Sequence, residues 1–135
     1  MSDSPAPYAI AVDDDAVILC DVAGILEDAG FQVLTAMTGE GALQLLEQHA
    51  GSVTVLFSDV EMGEGMNGFE LGAHVARRWP DIGILIASGR RSPQADELPD
   101  GAMFINKPFS AHVVHARLRE LLPDGAKPAP LKAKA

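Results

Sequence analysis

Three consecutive aspartates, Asp13, Asp14 and Asp15, follow directly on the apolar run "YAIAV". Carboxylates set side by side repel, and several within a few ångströms push some of their pKa values up unless a cation compensates. Three more residues with chemical potential also follow apolar runs: Asp59 after "VTVLFS", Ser88 after "GILIA" and Lys107 after "MFIN". Oxygen ligands with no histidine or cysteine among them select a hard cation, so the acidic group reads as a cup for Mg²⁺, with Mn²⁺ as the alternative. Mg²⁺ typically takes one or two carboxylates, keeps some waters and shares itself with phosphate oxygens. Taken alone, the aspartate triplet has a second reading, an N-cap cluster feeding a helix N-terminus, and Asp15 is expected to be that cap.

The elements that must position these residues alternate along the chain. Tyr8 to Val12 is a short unbroken apolar run of strand type. A helix is predicted from Ala16 to Ala29, with Ile18, Val22, Ile25 and Ala29 at helical spacing and Gly30 as its stop. Phe31 to Ala36 reads as the second strand, and Thr38 as the N-cap of a helix carrying Ala42, Leu43 and Leu46. Val53 to Ser58 is the third strand, followed by a glycine-rich loop and a helix from Gly68 to Arg78 with Leu71, Val75 and Trp79 on one face. Trp79, before Pro80, is expected at the core edge where that helix closes. Gly83 to Ala87 and Met103 to Asn106 are the fourth and fifth strands, and Ser110 caps a last helix with Val114, Leu118 and Leu121 facing inward. Strands alternating with helices imply right-handed crossovers and a parallel α/β sheet covered on both faces. In such a sheet ligands bind beyond the carboxyl ends of the strands, the edge that receives Asp13, Asp14, Asp59, Ser88 and Lys107. Between 89 and 102, Pro93 and Pro99 leave room for barely a turn or two of helix. The Pro/Ala/Lys stretch over 123–135 is expected to be a disordered tail after a single folded domain over 1–122.

"AIAVDDDAVIL", "VLFSDVEM", "IASG" and "INKPF", in this order and on these strand ends, resemble the receiver domain of two-component response regulators over about residues 8–122. The resemblance implies a flavodoxin-like doubly wound (βα)5 fold with strand order 2-1-3-4-5. It makes Asp59 the acceptor of a phosphoryl group from a histidine kinase or phosphotransfer protein. Asp13 and Asp14 would hold Mg²⁺ together with Asp59, and Glu61 would offer its backbone carbonyl. Ser88 matches the hydroxyl that senses the phosphoryl group, Lys107 the site lysine, and Phe104 an aromatic switch. The physics agrees: phosphoryl transfer needs in-line positioning and neutralised equatorial oxygens, which a cation, a lysine point charge and a hydroxyl supply. The chain departs from the family pattern where Gly63 stands in place of a proline, in a loop one residue longer, so the Glu61 carbonyl should be less firmly aimed. It departs again where Gly89 leaves the site open and where the fourth helix is shortened.

Composition narrows the functional classes. The 135 residues carry a net charge of −9, which argues against nucleic acid and anionic membrane as partners. The N-terminus has neither a basic segment nor an apolar core, so no secretion signal is expected. Cys20, the one cysteine, sits in a helical apolar pattern and is expected to be buried; a cytoplasmic setting follows from this cysteine usage. The four histidines are expected to be solvent-facing or half-buried, with no phosphodonor motif around them. "VDDDAVI" also resembles the start of haloacid-dehalogenase-type phosphohydrolases, with Asp13 as nucleophile and Asp15 as acid/base. That reading fails because no acidic pair follows Lys107 before Glu120 and there is no room for a cap. A degenerate receiver that binds partners without phosphorylation is the other alternative. The expectation is therefore a non-enzymatic, stand-alone receiver, monomeric or weakly dimeric, signalling through a separate effector protein.

Overall fold

Strand β1 (Tyr8–Val12) is apolar throughout because both of its faces are covered. In the computed structural model, which describes residues 7–49, 51–63, 65–89, 98–99, 101–123 and 127–128, it lies inside a five-stranded sheet, one strand in from an edge. Its partners are β2 (Gln32–Ala36) and β3 (Val53–Asp59), and β4 (Gly83–Ser88) and β5 (Met103–Asn106) follow outward from β3. Every pairing is parallel and the order is β2-β1-β3-β4-β5, the doubly wound arrangement expected. Helices α1 (Ala16–Asp28) and α4 (Ala111–Leu121) cover one face, and α2 (Gly39–His49) and α3 (Gly68–Arg78) the other.

Alternation along the strands builds two cores. Ala9, Ala11, Val55, Phe57, Leu85 and Ala87 pack with Leu19, Val22, Leu26, Val114 and Leu118 on the α1/α4 side. Ile10, Val12, Leu56, Ile84 and Ile86 pack with Leu46, Phe69, Leu71 and Val75 on the other.

The expected caps are in place. Asp15 Oδ1 accepts the backbone N–H groups of Val17 and Ile18 at 2.9 and 3.2 Å. Thr38 Oγ1 accepts from Gly41 at 3.0 Å and Ser110 Oγ from Val113 at 3.2 Å, each satisfying an orphan donor of a first turn. Asn67 and Glu70 add a reciprocal capping box at the start of α3. Trp79 is half-buried, and its N–H closes α3 on the Val75 carbonyl at 2.7 Å.

One expectation is corrected: Cys20 is exposed. The fully covered positions of α1 are Leu19, Val22 and Leu26, while Ile18 and Ile25 are only partly buried. The buried stripe keeps Val22 and Ala29 but turns from Ile18 and Ile25 toward Leu19 and Leu26, which leaves Cys20 outward. The histidines follow the expectation, with His112 exposed and His49, His74 and His115 half-buried.

The shortened helix expected between β4 and β5 falls on 90–97 and 100, outside the described residues. The end of that crossover is held by the Ala102 N–H on the Pro99 carbonyl at 3.0 Å, with Gly101 at φ +83°. Most of the predicted tail also lies outside the described residues; of the rest, Pro123 is exposed, Lys127 half-buried and Pro128 buried. Among the described residues no helix is long and apolar enough to cross a membrane.

Candidate functional site

Because the strands are parallel, their carboxyl ends share one edge, and backbone hydrogen bonds continue the ladder just past it. The Asp13 N–H donates to Ala36 O at 3.2 Å, Val60 to Ala87 O at 3.1 Å and Lys107 to Ser88 O at 3.0 Å. These bonds fix the stems of Asp13, Asp59, Ser88 and Lys107 around an open cleft of about 420 Å³. Asp14, Asp15, Glu61, Gly63 and Gly89 line the same cleft.

Lys107 is the bridge. Its Nζ lies 2.8 Å from Asp59 Oδ1 and 3.3 Å from Asp13 Oδ2. The other oxygen of Asp13 accepts the Asp15 N–H at 2.9 Å, so this buried carboxylate has a partner on each side. Burial pushes the Asp59 carboxyl above its ordinary value; the hydrogen bond from Lys107 opposes this, and the charge of Asp13 adds to it. Burial alone would lower Lys107, but its hydrogen bond and charge pairing with Asp59, reinforced by Asp13, more than reverse that and hold the ammonium above its usual range.

Asp13, Asp14 and Asp59 each bring a carboxylate oxygen within 4.8 Å of the others, with Asp13 and Asp59 buried and Asp14 exposed. An all-oxygen set, part buried and part open to water, fits a hard divalent cation that keeps some of its waters. The carboxylates outnumber the one lysine among the residues lining the cleft, so they need further positive charge.

Two features lay beyond the sequence reading. The first is the Glu61 side chain. The sequence indicated only its backbone carbonyl, yet its Oε1 accepts the Ser88 hydroxyl at 3.5 Å. The second is Gly68, where a β-carbon would overlap the Asp59 carbonyl oxygen and sit 2.9 Å from Val60 Cα. A glycine directly after the Asn67 cap was the available signal, since only it lets the start of α3 lie against the end of β3. Gly63 has φ +71°, a conformation closed to the proline that the family pattern places there, and a β-carbon at this position would lie 3.7 Å from Asp14 Oδ2. Phe104 is half-buried on the α3 side of β5, its ring stacked on Phe69 at 6.5 Å between centroids.

Comparison with known proteins agrees with this geometry. The family model of the response regulator receiver domain matches residues 9–119. The chain is 33% identical over 120 residues to the sensor kinase CckA of Brucella abortus, covering 87% of this chain and 12% of that protein. It is 35% identical over 106 residues to the nitrogen assimilation regulatory protein NtrX of Azorhizobium caulinodans, covering 76% of this chain and 23% of that protein. It therefore spans about an eighth and about a quarter of the length of these two relatives. The solved structure of the chemotaxis protein CheY4 of Vibrio cholerae superposes with a TM-score of 0.76 at 29% identity, over 87% of this chain and 99% of that one. Strand order, the acid-lined carboxyl edge and the match over 9–119 lead to one conclusion: the chain belongs to the response regulator receiver domain family.

Proposed function

We propose that Asp59 accepts a phosphoryl group from a phosphohistidine of a histidine kinase or phosphotransfer protein, and that the phosphorylated domain signals to a separate effector. The observation that carries this reading is the meeting, at one sheet edge, of a buried Asp59 with Lys107 at 2.8 Å and with ligand oxygens of Asp13 and Asp14 within 4.8 Å. Asp13, Asp14 and Asp59, with the backbone carbonyl of Glu61, would hold Mg²⁺, and Mn²⁺ could replace it. When bound, Mg²⁺ supplies positive charge that neutralises the transferring oxygens and the crowded carboxylates.

An Asp59 carboxylate oxygen attacks phosphorus as the phosphorus–nitrogen bond of the donor breaks, leaving an acyl phosphate on Asp59 and the electron pair on the imidazole. Lys107 transfers its hydrogen bond from the Asp59 carboxylate to a phosphoryl oxygen, and the Ser88 hydroxyl turns to a second. Phe104 follows Ser88 as a rotamer switch on the α3 side of the sheet. The domain acts only on its own phosphorylation state, so it is not an enzyme in the usual sense. An apolar groove of about 500 Å³ lined by Val22, Ile25, Pro108 and Phe109 shares Ile18 and Lys107 with the cleft, so a protein donor seated there would border the site. Residues 1–122 form the receiver and 123–135 a tail, in a cytoplasmic protein that is monomeric or weakly dimeric and binds neither nucleic acid nor membrane.

Intact mass after incubation with a small acyl-phosphate donor tests the reading. One phosphoryl group should appear with Mg²⁺, none with chelator and none in Asp59→Asn. A phosphoryl group mapped to a histidine or to Asp13 would overturn it, and no modification at all would favour the phosphorylation-independent binding module.

A further inference from the structure

Ser88 is 2% exposed at the end of β4, and its hydroxyl donates to Glu61 Oε1 at 3.5 Å. Among the described residues, the ligand oxygens clustered within 4.8 Å belong to Asp13, Asp14 and Asp59. The Glu61 carboxylate stands outside that cluster, on the hydroxyl side of the cleft. A serine hydroxyl carries a single proton to donate. Whatever anion holds that proton in the resting protein must release it before a phosphoryl oxygen on Asp59 can receive it.

We infer that the Glu61 side chain is a positioning residue that holds the Ser88 hydroxyl as an internal stand-in for the phosphoryl group, and that occupancy of Asp59 expels it. The inference rests on Asp59 being the phosphoacceptor. A phosphorylated Asp59 carries negative oxygens toward the same proton, and two anions facing one donor repel. Lys107 is already shared between Asp13 and Asp59, which leaves it poorly placed to compensate Glu61 as well. Glu61 is exposed, so it can swing into water with little loss of packing. The contact is long for an O–H···O bond, which keeps the latch weak and reversible.

Beryllofluoride with Mg²⁺, titrated by ¹⁹F NMR, serves as the phosphoryl probe. Glu61→Ala should bind it about three- to tenfold tighter than wild type, the range expected for one modest hydrogen bond. Glu61→Gln, which keeps an acceptor without the charge, should fall between. In a Ser88→Ala background the gain from Glu61→Ala should largely disappear, because the latch has lost its donor. The Ser88 amide resonance should also shift in Glu61→Ala without any ligand. Unchanged affinity in Glu61→Ala, or an equal gain with and without the Ser88 hydroxyl, would overturn the latch while leaving the phosphoacceptor reading intact. Probe binding that persists in Asp59→Asn, or is absent from wild type and every variant, would overturn the phosphoacceptor reading and the latch with it.

Discussion

Asp59 and Lys107 are both shifted upward, for opposite reasons. Burial and the neighbouring Asp13 charge outweigh Lys107 in the case of Asp59, whereas the two carboxylates outweigh burial for Lys107. The consequence for stability has a definite sign. An acid whose folded pKa is raised contributes most below its unfolded value, near 3.8, and that contribution is lost as the pH rises through the folded value. The raised Lys107 keeps its full contribution below 10.5, so the acid window belongs to Asp59. Metal-free Asp59→Asn should therefore melt above the wild type at neutral pH, with the gap closing as the pH falls toward 3.8; parallel thermal melts across pH 3.5–8 check this. A constant gap over that range would mean that Asp59 is not strained by its surroundings. The aspartate triplet shows how far single residues were legible. Asp15 was readable as a cap because capping is local, set by residues two and three positions on. The partner of Asp13 is 94 positions away, and only the fold brings it near. The Glu61 carboxylate was missed for the same reason: Ser88 lies 27 positions further along, at the end of β4.

Strand and helix bounds were readable to within about a residue, because buried parallel strands are short apolar runs and each helix carries its own stop or cap. The rotation of α1 was not. Its apolar residues run over more than one face, so spacing alone did not separate Leu19 and Leu26 from Ile18 and Ile25, and Cys20 was placed inside. The loop from Val60 to Asn67 was equally opaque, since its course depends on the positive φ at Gly63 and Gly65 and on Met62 turning into the core. Among the described glycines, the one with the least room for a β-carbon is at its far end, where α3 starts against the Asp59 carbonyl. Gly68→Ala should cost about 1–3 kcal/mol in denaturant unfolding, the usual range for overpacking, and should slow phosphorylation by moving the end of β3. Wild-type stability with a wild-type phosphorylation rate would show that the joint yields freely.

A net charge of −9 is carried by a molecule that gathers three carboxylates into a space of 4.8 Å. Any divalent ion that binds the folded cluster and not the unfolded chain stabilises the fold by mass action. Millimolar Mg²⁺ should raise the melting temperature of wild type, and Asp14→Ala should lose most of that rise; a wild-type melt indifferent to Mg²⁺ would show the cup to be far weaker than its geometry implies. The sheet itself has a different consequence. Its strands send alternate side chains to two cores that stay separate among the described residues, one against α1 and α4 and the other against α2 and α3. Val22 and Val75 are buried on opposite sides of this partition. Val22→Ala and Val75→Ala should each cost about 1–3 kcal/mol. The double variant should show their sum to within about 0.5 kcal/mol in urea unfolding, and a larger departure would mean that the sheet transmits packing errors. Energetic independence of this kind lets one layer accumulate substitutions without compensating changes in the other, so helices α1 and α4 can diverge toward new partners while the opposite layer keeps the strand ends in register.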